Sequence, residues 1–383
     1  MRIALIATEK LPVPPVKGGA IQIYIDGILP HVTQYHDVTV YSVADEHLPA
    51  ESMLSGARVI SLPGDHYQQK VAQALRAAEF DVLHIFNRPA WVNDFAAVQP
   101  KARRILSLHN EMFQPEKISA EKAAACLEVT DKVVTVSSFI AKGVTTLYPQ
   151  AAEKTRVVYS GVDPDIYIPR WHPSARSLRV ELARRLGFDP DAPVILNVGR
   201  LSPKKGSHLI IQAMKTVHER HPEAVLIMVG SKWYGQTEWD EYGRHLLKLA
   251  AQSNGRVFLM GFVPPTEAPS YYSCADIFIC ASQWPEPLAR VHYEAMAAGL
   301  PIVTTRRGGN PEVIDGFGNG WVIDEYNDPV AIGTHLAGLL GKSGLAEEMG
   351  RCGRELVEER FNWKRVANEL LEIYAELEGE EEP

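Results

Sequence analysis

The chain has 383 residues, which fits two domains of ordinary size better than one core. Its hydrophobic fraction of 46% is that of a globular protein, and a formal net charge of −8 gives no broad basic field for nucleic acid. No apolar run reaches the roughly 18 residues of a membrane span, and the first residues show no signal-peptide pattern. We therefore expect a soluble, cytoplasmic protein, for which peripheral attachment to a membrane or a coat stays open.

The cysteine pattern argues against a metal or disulfide framework. The four cysteines form no Cys-x2-Cys pair, and no histidine cluster has zinc spacing. We expect buried free thiols in a reducing compartment.

Short apolar runs recur through the first half, separated mostly by helical patterns such as 68–79. Such alternation predicts a doubly wound parallel sheet, whose ligands bind beyond the carboxyl ends of the strands. His109 directly follows one of these runs, whereas His84 lies inside another and is interpreted as a core residue. An isolated histidine is more often structural, so position alone leaves the role of His109 open. The predicted strands are 3–7, 38–43, 59–62, 82–86, 105–108, 133–136 and 157–159.

The loop after the first strand is rich in proline and ends in Gly18 and Gly19, just before an amphipathic helix. Glycines at a helix start permit close approach of a ligand to the backbone, although from these residues alone a plain turn is the better interpretation. No G-x-G-x-x-G follows the strand, which argues against a nicotinamide or flavin dehydrogenase.

A linker with several prolines separates the two halves, and we place the domains at 1–165 and 166–360, with a C-terminal helix over 361–383. Asp163 and Asp165 in this linker form an Asp-x-Asp pair. Such a pair can hold a divalent metal under a nucleotide diphosphate, but a turn and helix start is the better interpretation here.

The second half opens with a strand over 194–198, followed by Gly199, Arg200, Lys204, Lys205 and Gly206 and a helix over 207–220. Arg200 and Lys205 are thereby placed where a diphosphate could meet helix N–H groups. Further strands are predicted at 224–229, 257–260, 276–280 and 302–305.

Residues 283–312 contain more side chains suited to binding or catalysis than any other thirty residues of the chain. Glu286 and Glu294 are eight residues apart, and the apolar spacing after Pro287 predicts a helix that starts there. The N–H groups of residues 288–290 would then form an anion site, and the two carboxylates could accept hydrogen bonds from sugar hydroxyls. The alternative is that Glu286 and Glu294 are solvated charges at a helix end, with no role in binding.

This stretch resembles the Glu-x7-Glu signature of retaining glycosyltransferases of family 4, and the resemblance runs through the whole chain. The sequence PEPLARVHYEAMAAG most resembles a bacterial group of spore-coat protein SA-like glycosyltransferases. The resemblance implies the α/β fold called GT-B, in which two Rossmann-like, doubly wound parallel-sheet domains face a cleft. It also implies that the last helix crosses back to pack on the first domain.

The resemblance further implies a role for each matching residue. The nucleotide-sugar donor would be bound through its phosphates, its base, its ribose and its sugar. Catalytic contacts would come from His109, Arg200, Lys205 and Glu286, and donor-binding contacts from Gly18, Gly19, Phe262, Val263, Leu288, Ala289, Arg290 and Glu294. Gly18 and Gly19 would face the phosphates, Phe262 and Val263 would bracket the base, and Glu294 would hold the ribose.

The chain departs from the family pattern at Ala289 and Arg290. Alanine in place of glycine narrows the backbone geometry of the phosphate loop, and Arg290 either adds a phosphate contact or points away. We predict a metal-independent hexosyl- or N-acetylhexosaminyl-transferase with no cofactor. A uridine diphosphate donor is favoured, partly because uridine donors are common in the family that the chain resembles and partly because no acidic residue near Phe262 and Val263 is placed to recognise guanine. The acceptor is unidentified, and a catalytically weak coat or scaffold protein is the alternative.

Overall fold

The structure, a computed structural model, describes residues 1–231 and 239–379. Its contacts divide the chain into unit 1, formed by Met1–Gly161 with Trp363–Pro383, and unit 2, formed by Val162–Asn362. The units thus divide at 161/162 and 362/363, against 165/166 and 360/361 expected from the sequence. The last four residues of the expected 361–383 helix lie outside the described residues.

The strands and helices alternate along both halves of the chain. The strands are β1 Arg2–Ile6, β2 Asp37–Val43, β3 Glu51–Leu54, β4 Ala57–Leu62, β5 Val82–Phe86, β6 Arg103–Leu108, β7 Lys132–Thr135, β8 Thr155–Val157, β9 Val194–Val198, β10 Val225–Val229, β11 Val257–Gly261, β12 Ile277–Cys280, β13 Ile302–Thr305 and β14 Gly320–Ile323. The helices are α1 Ala20–Val32, α2 Tyr67–Leu75, α3 Val92–Val98, α4 Ala120–Val129, α5 Ser138–Leu147, α6 Pro173–Leu186, α7 Ser207–His218, α8 Glu241–Ala251, α9 Ala268–Ser273, α10 Val291–Ala297, α11 Pro329–Leu340, α12 Ser343–Arg360 and α13 Trp363–Gly379.

Unit 1 is built on an eight-stranded sheet in the order β3-β4-β2-β1-β5-β6-β7-β8. Its strand pairs are parallel except for β3 with β4, which form an antiparallel hairpin. The parallel strands confirm the predicted doubly wound pattern, because strands covered on both faces read as continuous apolar runs. The sequence analysis missed β3, an edge strand whose residues alternate between exposed and half-buried.

The last helix, α13, packs against α1 within unit 1. Gly27 on α1 leaves room for the ring of Trp363, since a Cβ at Gly27 would lie 2.2 Å from that ring. The helix buries Trp363, Val366, Leu370 and Tyr374 in the same core cluster as β1 and α1. This packing confirms the expectation that the last helix returns to the first domain.

His84 is a core residue, as predicted. Its Nδ1 lies 2.8 Å from the hydroxyl of Tyr374, and its Nε2 lies 2.6 Å from the hydroxyl of Ser107. Burial, with a smaller contribution from nearby His109, lowers the pKa of His84 to about 3. The ring is therefore neutral at neutral pH.

Unit 2 is built on a six-stranded parallel sheet in the order β11-β10-β9-β12-β13-β14. The central strands β9, β12 and β13 are nearly fully buried. Parallel strands present their carboxyl ends at one edge, so the loops after β9, β12 and β13 start close together. This edge carries the candidate donor-binding residues.

Several smaller expectations are also tested. The four cysteines are free thiols, three of them buried and Cys352 partly exposed. Asp163 caps a short 3-10 turn, where its Oδ1 accepts a hydrogen bond from the N–H of Asp165 at 2.9 Å, which confirms the turn interpretation. Among the helices within residues 1–231 and 239–379, none is both long and apolar enough to cross a membrane.

Candidate active site

The loops after β9 and β12 lock together through their backbones. The N–H of Gln283 donates to the carbonyl of Lys204 at 2.8 Å. Gly206 has a φ of +68°, and a Cβ there would lie 2.1 Å from the carbonyl oxygen of Ala281. Glycine is therefore required where the lysine loop turns into α7. The contact brings the Lys205 loop beside the loop that carries Glu286.

Glu286 lies in a nearly closed polar site and accepts three hydrogen bonds on one oxygen. Lys205 Nζ lies 2.6 Å from Oε2, Trp284 Nε1 lies 2.8 Å from it, and Ser282 Oγ lies 3.0 Å from it. The Glu286 side chain is 9% exposed and that of Lys205 is 23% exposed. Two of the predicted catalytic residues are thus in direct contact.

The backbone of Glu286 is held by the glycine pair that follows β13. The N–H of Gly309 donates to the carbonyl of Glu286 at 2.8 Å. Gly308 has a φ of +60°, and a Cβ there would lie 2.0 Å from the Glu286 carbonyl oxygen. Gly308 therefore fits only because it lacks a side chain.

The predicted helix start at Pro287 is wrong. The helix α10 begins at Val291 and has seven residues, so residues 288–290 form a loop. The N–H of Ala289 donates to Asn310 Oδ1 at 3.0 Å, and the carbonyl of Ala289 lies 2.8 Å from Nδ1 of the buried His292. These contacts fix the backbone of the loop at Ala289. They also occupy one of the N–H groups of the anion site predicted at 288–290.

Glu294 lies inside α10, as expected, in the helix that follows the 288–290 loop. Its Oε2 accepts a hydrogen bond from the hydroxyl of Tyr272 at 2.7 Å, and its Oε1 lies 3.7 Å from the guanidinium of Arg290. Burial raises the pKa of Tyr272 well above its usual range, and the Glu294 carboxylate raises it further. Tyr272 therefore stays protonated and donates to Glu294. Arg290 points along the helix towards Glu294, and Leu288 is buried.

The remaining donor-binding candidates of unit 2 follow neighbouring strands. Arg200 is exposed and lies two residues after the end of β9, while Phe262 and Val263 are half-buried and follow β11. Gly230 after β10 joins these two loops: its N–H donates to the carbonyl of Gly261 at 2.8 Å, and a Cβ there would lie 1.9 Å from the carbonyl oxygen of Gly199. The structure therefore gathers these candidates at one sheet edge.

Three candidates lie in unit 1. His109 is 9% exposed, its N–H donates to Asn87 Oδ1 at 3.1 Å, and the ring of Tyr24 meets it edge to face at 4.9 Å between centroids. Gly18 and Gly19 precede α1 with φ angles of +78° and +103°. A Cβ at Gly19 would lie 2.4 Å from the Gln22 side-chain oxygen, so a side chain there would displace Gln22 as well as strain the backbone.

The sequence analysis missed four residues that organise the site. Ser282 and Trp284 bind Glu286 directly, Gly308 approaches its backbone, and Asn310 fixes the loop at Ala289. Their signal was present as polar and aromatic residues around Glu286 and as the glycine pair after β13. Within residues 1–231 and 239–379, no group of three or more histidine, cysteine or acidic residues could hold a metal ion.

Comparison with known proteins identifies the class of fold. Sucrose-phosphate synthase from Thermosynechococcus elongatus superposes with a TM-score of 0.79 at 22% identity, and each chain is covered over 100% of its length. A structure of WaaG, a glycosyltransferase involved in lipopolysaccharide biosynthesis, gives a TM-score of 0.71 at 18% identity, covering 97% of this chain and 99% of the other. The expected GT-B fold is confirmed.

Sequence relatives then identify the family. The family models described as "Glycosyltransferase Family 4" and "Glycosyl transferases group 1" match residues 31–166 and 179–356. Spore coat protein SA of Bacillus subtilis is 44% identical over 98% of this chain and 99% of its own length. The putative glycosyltransferase YtcC of the same organism is 40% identical over 98% of this chain and 92% of its own length. The chain therefore belongs to the family 4 glycosyltransferases.

The glycine pair that holds Glu286 gives a testable prediction. Gly308→Ala places a Cβ about a bond length inside the contact limit with the Glu286 backbone, so the loop must move. We expect a loss of about 1–3 kcal/mol in the free energy of unfolding and a weaker donor interaction. Gly316→Ala is the matched control, because Gly316 has a φ of +80° but no atom within 4 Å of the added Cβ. Equal losses in both variants, measured by calorimetry, would show that backbone strain alone is responsible.

Proposed function

We propose that this glycosyltransferase moves a hexosyl or N-acetylhexosaminyl group, with retention of configuration, from a uridine diphosphate sugar to an acceptor. The observation that carries the proposal is the direct contact between Glu286 and Lys205 at the carboxyl edge of the second sheet. A carboxylate that can accept from sugar hydroxyls and a cation that can meet a diphosphate are thereby placed within one hydrogen bond of each other.

Charge on the leaving diphosphate is the main electrostatic demand of the reaction. Arg200 and Lys205 supply positive side chains, and α7 starts at Ser207 directly after them, so that its first N–H groups add to the same field. Arg200, Lys205 and the start of α7 therefore take the role in phosphate binding that the sequence analysis gave to a helix start at Pro287. Because the positive charge comes from side chains and backbone, we propose that transfer does not require a metal ion.

The other residues at the carboxyl edge of the second sheet bind different parts of the donor. Glu294, held by Tyr272, accepts from the ribose hydroxyls, and Glu286 accepts from hydroxyls of the transferred sugar. Phe262 and Val263 meet the base. The assignment to uridine is supported by a solved structure with a similar fold, that of Anabaena Alr3699/HepE in complex with UDP-glucose. That protein is 21% identical to this chain and superposes with a TM-score of 0.74, and the match covers 98% of this chain and 100% of the other. The roles that the resemblance gives to His109, Gly18 and Gly19 stay predictions.

A scaffold in a spore coat is the second candidate, because the relative at 44% identity is named a spore coat protein. A scaffold has no need to hold Glu286 with three donors in a nearly closed site, since a solvated carboxylate is less costly than a buried one. Turnover of a nucleotide sugar separates the two candidates.

The donor base and the role of metal are tested by one thermal-shift experiment. A ligand that binds only the folded state stabilises it by about 2.7 kcal/mol at a hundred times its dissociation constant. We expect uridine diphosphate to raise the melting temperature more than guanosine or adenosine diphosphate, and the rise to persist in EDTA. A larger shift with another base would refute the uridine assignment. Loss of the shift in EDTA would refute metal independence.

The ribose role of Glu294 is tested by calorimetry of nucleotide binding. Glu294→Ala should weaken uridine diphosphate binding by roughly 1.5–3 kcal/mol, the range for a charge-assisted hydrogen bond. Glu347→Ala on α12 is the control, because Glu347 is an exposed glutamate of the same unit whose ion pair, among the residues that the structure describes, is with Arg351. Unchanged affinity in Glu294→Ala would exclude the ribose contact.

A further inference from the structure

The three hydrogen bonds to Glu286 are unevenly distributed over its carboxylate. Lys205, Trp284 and Ser282 all donate to Oε2, at 2.6, 2.8 and 3.0 Å. Among the described residues, no hydrogen bond is made to Oε1. A carboxylate offers about four lone-pair sites, two on each oxygen. Three donors therefore saturate Oε2 and leave Oε1 as the acceptor for a bound ligand.

Two of the three donors are neutral and come from the loop of Glu286 itself. Ser282 precedes Glu286 by four residues and Trp284 by two, whereas Lys205 reaches in from the loop after β9. Lys205 is also one of the two cations that we propose to meet the leaving diphosphate. When charge grows on that diphosphate, the ammonium of Lys205 is shared between two anions. The neutral donors do not change partner, so they keep Glu286 in place during this step.

Trp284 is itself fixed in orientation. Lys204 Nζ lies 5.5 Å from the centroid of its ring, a distance typical of a cation–π contact, and the adjacent Gln283 is bound through its N–H to the carbonyl of Lys204. An indole has one polar hydrogen, which here points at Glu286. The half-buried ring thus links the lysine loop to the carboxylate.

We propose that Trp284 is a positioning residue for sugar transfer, whose indole N–H orients Glu286 so that Oε1 meets the donor sugar. This role rests on the proposed function. It predicts that removing the N–H slows the chemical step while nucleotide binding is unchanged, because the uridine diphosphate part of the donor does not contact Oε1.

The test uses Trp284→Phe, which keeps an aromatic ring under Lys204 and removes the N–H. Turnover is measured as release of uridine diphosphate from a uridine diphosphate hexose, and nucleotide affinity by calorimetry. We expect kcat to fall about 10- to 100-fold, as for loss of a hydrogen bond to a charged group, with the Kd for uridine diphosphate within about twofold of wild type. Ser282→Ala should show the same pattern, and it provides a second variant if Trp284→Phe unfolds.

A double-mutant cycle and a control separate this role from a structural one. In a Glu286→Ala background, Trp284→Phe should cause no further loss of kcat, because the residue acts through Glu286. Trp171→Phe is the matched control: Trp171 lies in the same unit with Arg351 stacked 4.6 Å from its ring, and it should leave kcat unchanged. An equal loss in both backgrounds would overturn the proposal.

The hydrogen bond itself is observed by nuclear magnetic resonance of 15N-labelled tryptophan. Trp284→Phe assigns the indole resonance of Trp284, and Glu286→Ala should shift that resonance upfield. An unmoved resonance would overturn the proposal. Unchanged kcat in Trp284→Phe, with an active wild type, would refute only the role of Trp284. A wild-type protein that turns over no nucleotide sugar would refute the proposed function and this role with it.

Discussion

The candidate site depends on one ion pair between loops that are 81 residues apart in the chain, Lys205 with Glu286. A nearly buried carboxylate is costly to remove from water, and attraction to a single cation does not always offset that cost. Here the hydroxyl of Ser282 and the indole of Trp284 complete the hydrogen bonding of Oε2. Within the described part of the chain the pair is thereby stabilised through Oε2 alone, which leaves Oε1 to accept a hydrogen bond from a ligand.

The pair forms only because backbone atoms approach one another closely on both sides of it. Gly206 lets the lysine loop meet the carbonyl of Ala281, and Gly308 lets the loop after β13 meet the carbonyl of Glu286. Each of these glycines also has a positive φ, so a substitution introduces both strain and a clash. The parallel sheet supplies the common starting edge, and the glycines bring the loops into contact beyond it.

The sequence predicted those features that depend on local pattern. Continuous apolar runs identified the parallel strands of both sheets except β14, a four-residue strand that is buried only at Ile323, and the Asp163 turn was read correctly from its residues. The edge strand β3 was missed because Glu51 and Met53 alternate with half-buried residues and give no apolar run. The helix start was placed at Pro287 because helical spacing of apolar residues continues there, whereas the helix begins at Val291, after a loop in which Ala289 contacts the side chains of Asn310 and His292.

The sequence predicted which residues form the site but not which of them contact one another. Lys205, Glu286 and Glu294 were each named from short motifs, yet nothing local indicates that Lys205 contacts Glu286 or that Tyr272 donates to Glu294. Trp284 and Ser282 were passed over because their function appears only once the carboxylate oxygen that they bind is located. Contacts between loops of different strands follow from the folded sheet.

The central claim is that Glu286 serves retaining sugar transfer from a nucleotide donor. Many transferases slowly hydrolyse their donor when no acceptor is present, so proton nuclear magnetic resonance can follow the anomer released from α-linked uridine diphosphate hexoses and N-acetylhexosamines. The account predicts that the wild-type protein first releases the α-anomer of at least one of these sugars, and that Glu286→Gln releases it at least tenfold more slowly. First release of the β-anomer, or equal rates from both proteins, would contradict it.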